Sequence, residues 1–106
     1  MAPRVELLFW DGCPSLPRAL ADLRAALAVA GLDPAAIELI EIASDADAER
    51  ERFTGSPTIR IDDRDVVDPG GEPVQLACRV YLRRDGGVSP VPDPDDLRDA
   101  LQEAST

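Results

Sequence analysis

The sequence predicts an α/β domain with the element order β-α-β-α-β-β-α, a central mixed four-stranded sheet flanked by helices. Three observations carry that prediction. Two short apolar runs rich in strand formers, residues 5–10 and 37–42, bracket one long segment of helical periodicity. Two strands joined by such a helix form a βαβ unit, which implies a parallel pair with a right-handed crossover. The pattern then changes to helix, strand, strand, helix, which fits one mixed sheet with helices on its faces.

Val5-Glu6-Leu7-Leu8-Phe9-Trp10 reads as a buried strand that stops at the turn signal Asp11-Gly12. Beyond Cys13-Pro14-Ser15, the residues Leu16, Leu20, Leu23, Leu27 and Ala30 recur at spacings of three and four, with alanines between them. Pro17 is tolerated only in a first turn, so this helix must begin within a turn of Cys13. Gly31 is a natural stop. Ile37 to Ile42 is the second strand. Ser44 to Phe53 is a short helix, with Ser44 as its cap and acids in its first turn. Thr58-Ile59-Arg60-Ile61-Asp62 is the third strand, entered through the break Thr54-Gly55-Ser56-Pro57.

Asp63 to Gln75 is a loop rich in Asp, Gly and Pro, and long for a domain this small. Cys78-Arg79-Val80-Tyr81-Leu82-Arg83 alternates and is expected to be the fourth strand. Asp85-Gly86-Gly87 is a turn, and Pro90 to Pro94 a proline-rich connector. Asp95 to Ala104 is an amphipathic helix with Leu97, Ala100 and Leu101 inward, and the last residues are expected to fray.

The totals narrow the function classes. A length of 106 residues is one domain, 1–106, able to fold without a disulfide or metal. The net charge of −10 opposes nucleic acid and anionic membrane surfaces, so neither is an expected partner. The chain has no histidine, which removes Ser-His-Asp and Cys-His catalysis and histidine-ligated metal sites. Two cysteines, Cys13 and Cys78, are too few for a disulfide scaffold and suit a reducing compartment. The start, Met1-Ala2-Pro3-Arg4, runs into an apolar stretch holding Glu6, the pattern of neither a signal peptide nor a membrane span. The expected location is the cytoplasm. Asp62, Asp63, Asp65 and Asp68 lack the ordered spacing of a calcium loop, so no metal site and no cofactor is expected.

Cys13 is where chemistry is expected. A cysteine between a strand end and a helix start meets free N–H groups and the helix dipole, which favour thiolate, the reactive form. Arg18 adds to that effect in sequence and Asp11 opposes it. Trp10 precedes the turn and suits either a cover for the thiol or the core. A cis Ser56-Pro57 bond would place a tight turn before the third strand, although trans is the commoner state of such a bond.

Strand, Gly12-Cys13-Pro14, helix, strand, helix, then Gly55-Ser56-Pro57-Thr58-Ile59 resembles the thioredoxin superfamily. Asp11 to Pro14, Gly55 to Thr58 and Cys78-Arg79-Val80-Tyr81 together are similar to small bacterial thioredoxin- and glutaredoxin-like proteins, some labelled alkylmercury lyase-like. The resemblance covers nearly the whole chain. It implies a thioredoxin-like fold in which Cys13 attacks a disulfide and Pro57 is the cis-proline beside it. It also implies that the Ser56 backbone pairs with an extended substrate by strand addition. Trp10, Gly12 and Pro14 complete the implied binding site.

One departure matters. The residue three after Cys13 is Leu16, not a second cysteine, so no local thiol can release a mixed disulfide. Three readings stay open. The first is a monothiol oxidoreductase resolved by glutathione or another thiol, with a disulfide-containing protein or small thiol as partner. The second is a non-catalytic binding module using the groove between Cys13 and Pro57. The third is capture of a soft metal, mercury or copper, by thiolate. Cys78 is the possible second thiol, but at the start of the fourth strand it is expected at the far end of the sheet, too distant to bridge to Cys13.

Overall fold

The computed structural model describes residues 2–104; Met1 and the terminal pair Ser105 and Thr106, for which fraying is expected, lie outside the described residues. Nine elements follow in order: β1 (Val5–Phe9), α1 (Leu16–Val29), β2 (Ile37–Glu41), α2 (Asp45–Glu51), β3 (Thr58–Ile61), β4 (Arg64–Asp65), β5 (Tyr81–Leu82), β6 (Val88–Ser89) and α3 (Pro94–Ala104). The four-stranded sheet has the order β2-β1-β3-β4. β1 runs parallel to β2 and antiparallel to β3, and β3 is antiparallel to β4. The architecture is therefore mixed α/β, as the sequence predicts.

The fourth strand of this sheet is not the expected one. Arg64–Asp65 takes that place through a tight hairpin, with Arg60 opposite Asp65 and Ile61 opposite Arg64. Asp62 and Asp63 make the turn, both left-handed at φ 51° and 67°. Two positive-φ residues in succession match the twist that a two-residue hairpin needs, and Asp tolerates that region. Residues Tyr81–Leu82 instead pair with Val88–Ser89 in a separate antiparallel hairpin.

β1 is buried on both faces, which is why it reads as a continuous apolar run. Val5 and Leu7 join Ala19, Leu23 and Leu27 of α1, Ile59 and Ile61 of β3, and Leu97 and Leu101 of α3. Leu8 faces the other way, against Ile42, Ala48 and Phe53. Truncating such a buried leucine to alanine costs about 2–5 kcal/mol. Pro17 stands in the first turn of α1, and Gly31, at φ 76°, ends it just past the cap residue Ala30.

The other helices are fixed by their caps. Ser44 Oγ accepts the Asp47 N–H at 3.1 Å at the start of α2. Asp93 caps α3 by accepting the Asp95 N–H at 2.9 Å, and its other oxygen accepts the Arg84 N–H at 2.9 Å. Those backbone donors, Arg84 first, hold the Asp93 carboxyl below its ordinary range. One carboxylate thus ties the end of the β5–β6 hairpin to the third helix. No helix among the described residues is long and apolar enough to cross a membrane.

Glu6 is the one charged residue inside β1, with a side chain 6% exposed. It sits opposite Glu38 on β2 and Arg60 on β3. Burial pushes its carboxyl above the usual range; Arg4, at 3.1 Å, opposes this, while Glu38 and Asp63 reinforce it. The folded state therefore holds this proton more tightly than the unfolded chain. Stability contributed by the neutral acid is lost as pH rises through the raised folded value. Glu6→Gln is expected to be at least as stable as the parent in urea unfolding at neutral pH. The advantage should shrink at acid pH, below the raised folded value, where Glu6 is protonated in the native state. A variant that is less stable by the same margin at both pH values would refute this account.

Candidate functional site

Cys13 lies in the link between β1 and α1. Its N–H donates to the Trp10 carbonyl at 2.9 Å, closing a turn over Asp11 and Gly12. The Trp10 N–H in turn donates to Ser56 Oγ at 3.0 Å, so one residue's backbone connects the Cys13 turn to the segment before β3. The Trp10 ring is half-buried against Leu8, Ile42 and Phe53 and lies close over Gly12. A Cβ at Gly12 would come within 2.6 Å of that ring. The ring therefore serves the core and also shapes the turn. Cys13 is 7% exposed, while Gly12 and Pro14 beside it are exposed.

The Ser56-Pro57 peptide bond is cis. Ser56 is 1% exposed, Pro57 is fully buried, and the Pro57 carbonyl accepts the Tyr81 hydroxyl. The sequence pattern thus brings Cys13, Trp10, Gly12, Pro14, Ser56 and Pro57 into one region.

Two expectations about this region need correction. The Ser56 backbone is not open to an incoming strand. Its N–H donates to the Ala77 carbonyl and its carbonyl accepts the Arg79 N–H, both at 2.8 Å, so the chain's own Ala77–Arg79 segment pairs beside it in parallel. Nor is Cys78 at the far end of the sheet. It is the bridge partner of Ser56, and its thiol is close enough to Cys13 for the two side chains to interact. The physical reason is the hairpin at Asp62-Asp63. β4 supplies the fourth strand, so the loop after it is free to cross back and lay residues 77–79 alongside Ser56.

This crossing is tight. Gly55 has φ 142°, and a Cβ there would meet Arg79 Cβ at 2.8 Å and Arg79 Cα at 3.1 Å. Only glycine lets the two backbones approach so closely. Upstream, Gln75 anchors the segment by donating its N–H to Phe53 O at 3.0 Å and its Nε2 to Thr54 O at 3.2 Å.

Arg79 and Tyr81 hold the segment from below, and sequence reasoning assigned neither residue that role. Arg79 Nη1 donates to Asp65 Oδ2 at 2.8 Å and to Thr58 Oγ1 at 3.2 Å. Arg79 Nη2 donates to Val67 O at 2.8 Å, and the guanidinium lies 4.5 Å from the Tyr81 ring centroid. Burial pushes the Tyr81 phenol well above its usual range, with Arg79 opposing, so it stays a neutral donor to Pro57. The signal was present in the alternation: Arg79 and Tyr81 point inward while Cys78, Val80 and Leu82 are exposed.

The acidic cluster near residue 65 has structural work. Asp62 Oδ1 accepts the Arg4 N–H at 2.8 Å, Asp65 pairs with Arg79, and Asp68 Oδ1 accepts the Gly70 N–H at 2.8 Å. Two surface hollows, about 690 Å³ beside β4 and the end of α3 and about 390 Å³ between α1 and α3, are not lined by either cysteine.

The Cys78 thiol is pushed above its ordinary range, first by partial desolvation, then by charge on Cys13 and by side-chain interaction with Cys13. Thiolate is what alkylates, so Cys13→Ala, which removes two of these causes, is expected to speed iodoacetamide labelling of Cys78 near neutral pH. Labelling of Cys78 at the wild-type rate in that variant would show that the two side chains do not interact. Compared with known proteins, the chain matches no family model, no curated protein and no solved structure.

Proposed function

We propose that this chain is a thioredoxin-like thiol–disulfide exchange protein, with Cys13 the attacking thiol and Cys78 the resolving one. The observation that carries the proposal is the meeting of Cys78 with Cys13 across Ser56, beside a cis-proline. It replaces the monothiol scheme that Leu16 suggested, because the second thiol arrives from a distant segment instead of from the helix. The turn over Gly12, the cis bond at Pro57 and the order of strands and helices support the thioredoxin-like reading.

The exchange balances in two steps. Cys13 thiolate attacks one sulfur of a substrate disulfide. That S–S bond breaks, the far sulfur leaves as a thiolate and takes a proton, and Cys13 is left in a mixed disulfide. Cys78 then gives up its proton and attacks Cys13 Sγ, which expels the second substrate sulfur. The substrate gains two electrons and the protein holds a Cys13–Cys78 disulfide. An external thiol such as glutathione, reacting by the same chemistry, returns the pair to the reduced state.

Trapping tests the assignment. With glutathione disulfide, Cys78→Ser is expected to accumulate a stable glutathione adduct at Cys13, read by intact mass. The wild type should instead lose two hydrogens and carry no adduct, and Cys13→Ser should lose exchange activity. Wild-type protein that keeps both thiols free through this oxidation would overturn the proposal.

The same adjacency favours a second reading, capture of a soft cation between two thiolates. Mercury(II) titration should then show one site per chain whose affinity drops at least about tenfold, roughly 1.4 kcal/mol, when either cysteine is replaced by serine. Equal affinity in the wild type and both variants would dispose of it.

A further inference from the structure

Where a substrate peptide would add a strand beside Ser56, both backbone groups are already taken. The Ser56 N–H and C=O are each bonded at 2.8 Å to the chain's own Ala77–Arg79 segment. We infer that this segment is a fixed, built-in occupant of the strand-addition position, so the thiol pair serves compact, low-molecular-weight disulfides and excludes extended polypeptides. The inference rests on the exchange reading above and specifies its substrate class.

Three groups of contacts make the occupant fixed. The first is the buried Arg79 guanidinium, 8% exposed, with its bonds to Asp65, Thr58 and Val67. Peeling the segment away would leave Asp65, itself 15% exposed, without its cation. The second is Tyr81, whose hydroxyl is bonded to the Pro57 carbonyl, so the residues following the segment are pinned to the same turn. The third is Gln75, which holds the chain upstream through Phe53 and Thr54. At Gly55 the backbones run so close that no side chain would fit against Arg79.

An extended polypeptide needs main-chain partners as well as a reactive sulfur. Here those partners are satisfied internally, and Cys13 is only 7% exposed in the link after β1. Cys78 is exposed, so the approach to the pair is from its side. A small disulfide can reach a sulfur there without any backbone pairing. A cysteine in the middle of an extended segment cannot bring its flanking residues past residues 77–79.

The test compares two disulfides of matched chemistry on wild-type protein. One is bis(2-hydroxyethyl) disulfide. The other is a linear peptide whose central cysteine is capped with the same 2-mercaptoethanol group. Free cysteine supplies the intrinsic ratio of the two rates. The protein is expected to favour the small disulfide by about tenfold or more beyond that ratio, because residues 77–79 clash with the flanking residues of the extended peptide, a penalty that free cysteine does not impose. A ratio equal to that of free cysteine overturns the inference and leaves the exchange reading standing. Failure with both disulfides sinks the exchange reading, and this inference with it. Hydrogen exchange provides an independent readout. The Ser56 and Arg79 amides should be protected like those of β3. Exchange at the rate of an unstructured chain would mean that the segment opens and the position is free.

Discussion

The arrangement around the thiols depends on one buried cation. Arg79 reaches from the segment it anchors into the space between β3, β4 and the following loop, where it meets Thr58, Asp65 and the Val67 carbonyl and lies over Tyr81. A guanidinium suits this place because its planar fork can serve three acceptors at once and still stack on a ring. A buried pair of this kind is weak support for overall stability, since desolvation offsets much of the attraction. Its effect is on conformation. Breaking the pair by removing one partner costs on the order of 3–5 kcal/mol. A loop that could otherwise take many paths is therefore held to one.

That path explains how a site can be built without a second cysteine in the first helix. Leu16, at the position where a local partner thiol would stand, packs against the main core cluster with Leu20 and Ala26. The sequence there serves the sheet–helix contact. The second sulfur comes instead from residue 78, set beside Ser56 by two backbone bonds and by the Arg79 clamp just beyond it. On the proposed reading, the redox pair is assembled by tertiary structure and would exist only in the folded protein.

Much of the fold was legible because it follows from local patterns. The strands at residues 5 and 37, the capped helices and the Gly31 stop are each set by neighbours within a few positions. The cluster of Cys13, Trp10, Gly12 and Ser56-Pro57 was legible as well, through turn chemistry and resemblance. The path of residues 63–79 was not. β4 is only two residues long, and its turn uses Asp62-Asp63 where Asn-Gly would have announced a hairpin. Missing that turn misplaced the fourth strand, and the misplaced strand sent Cys78 to the wrong end of the sheet. The alternation of Cys78, Arg79, Val80 and Tyr81 correctly marked an extended segment, but a period of two cannot say which edge such a segment joins.

The clamp and the proposed disulfide also bear on each other by linkage. If non-covalent bonds hold Cys78 against Cys13 in the reduced protein, the ordering needed to join them has already been met before oxidation. The effective concentration of one thiol for the other is then set by Arg79, Tyr81 and Gln75, not by the flexibility of the loop. By reciprocity, a bond between the sulfurs must hold the Ala77–Arg79 segment more firmly against Ser56. The oxidised form would thus be the one in which the strand-addition position is most completely closed. Reduction would relax the segment without releasing it, because the guanidinium and phenol contacts do not involve sulfur. On the proposed reading, such a site would keep its own chain in the substrate's place through the whole cycle, and this occupancy would confine its chemistry to small disulfides approaching on the side of Cys78.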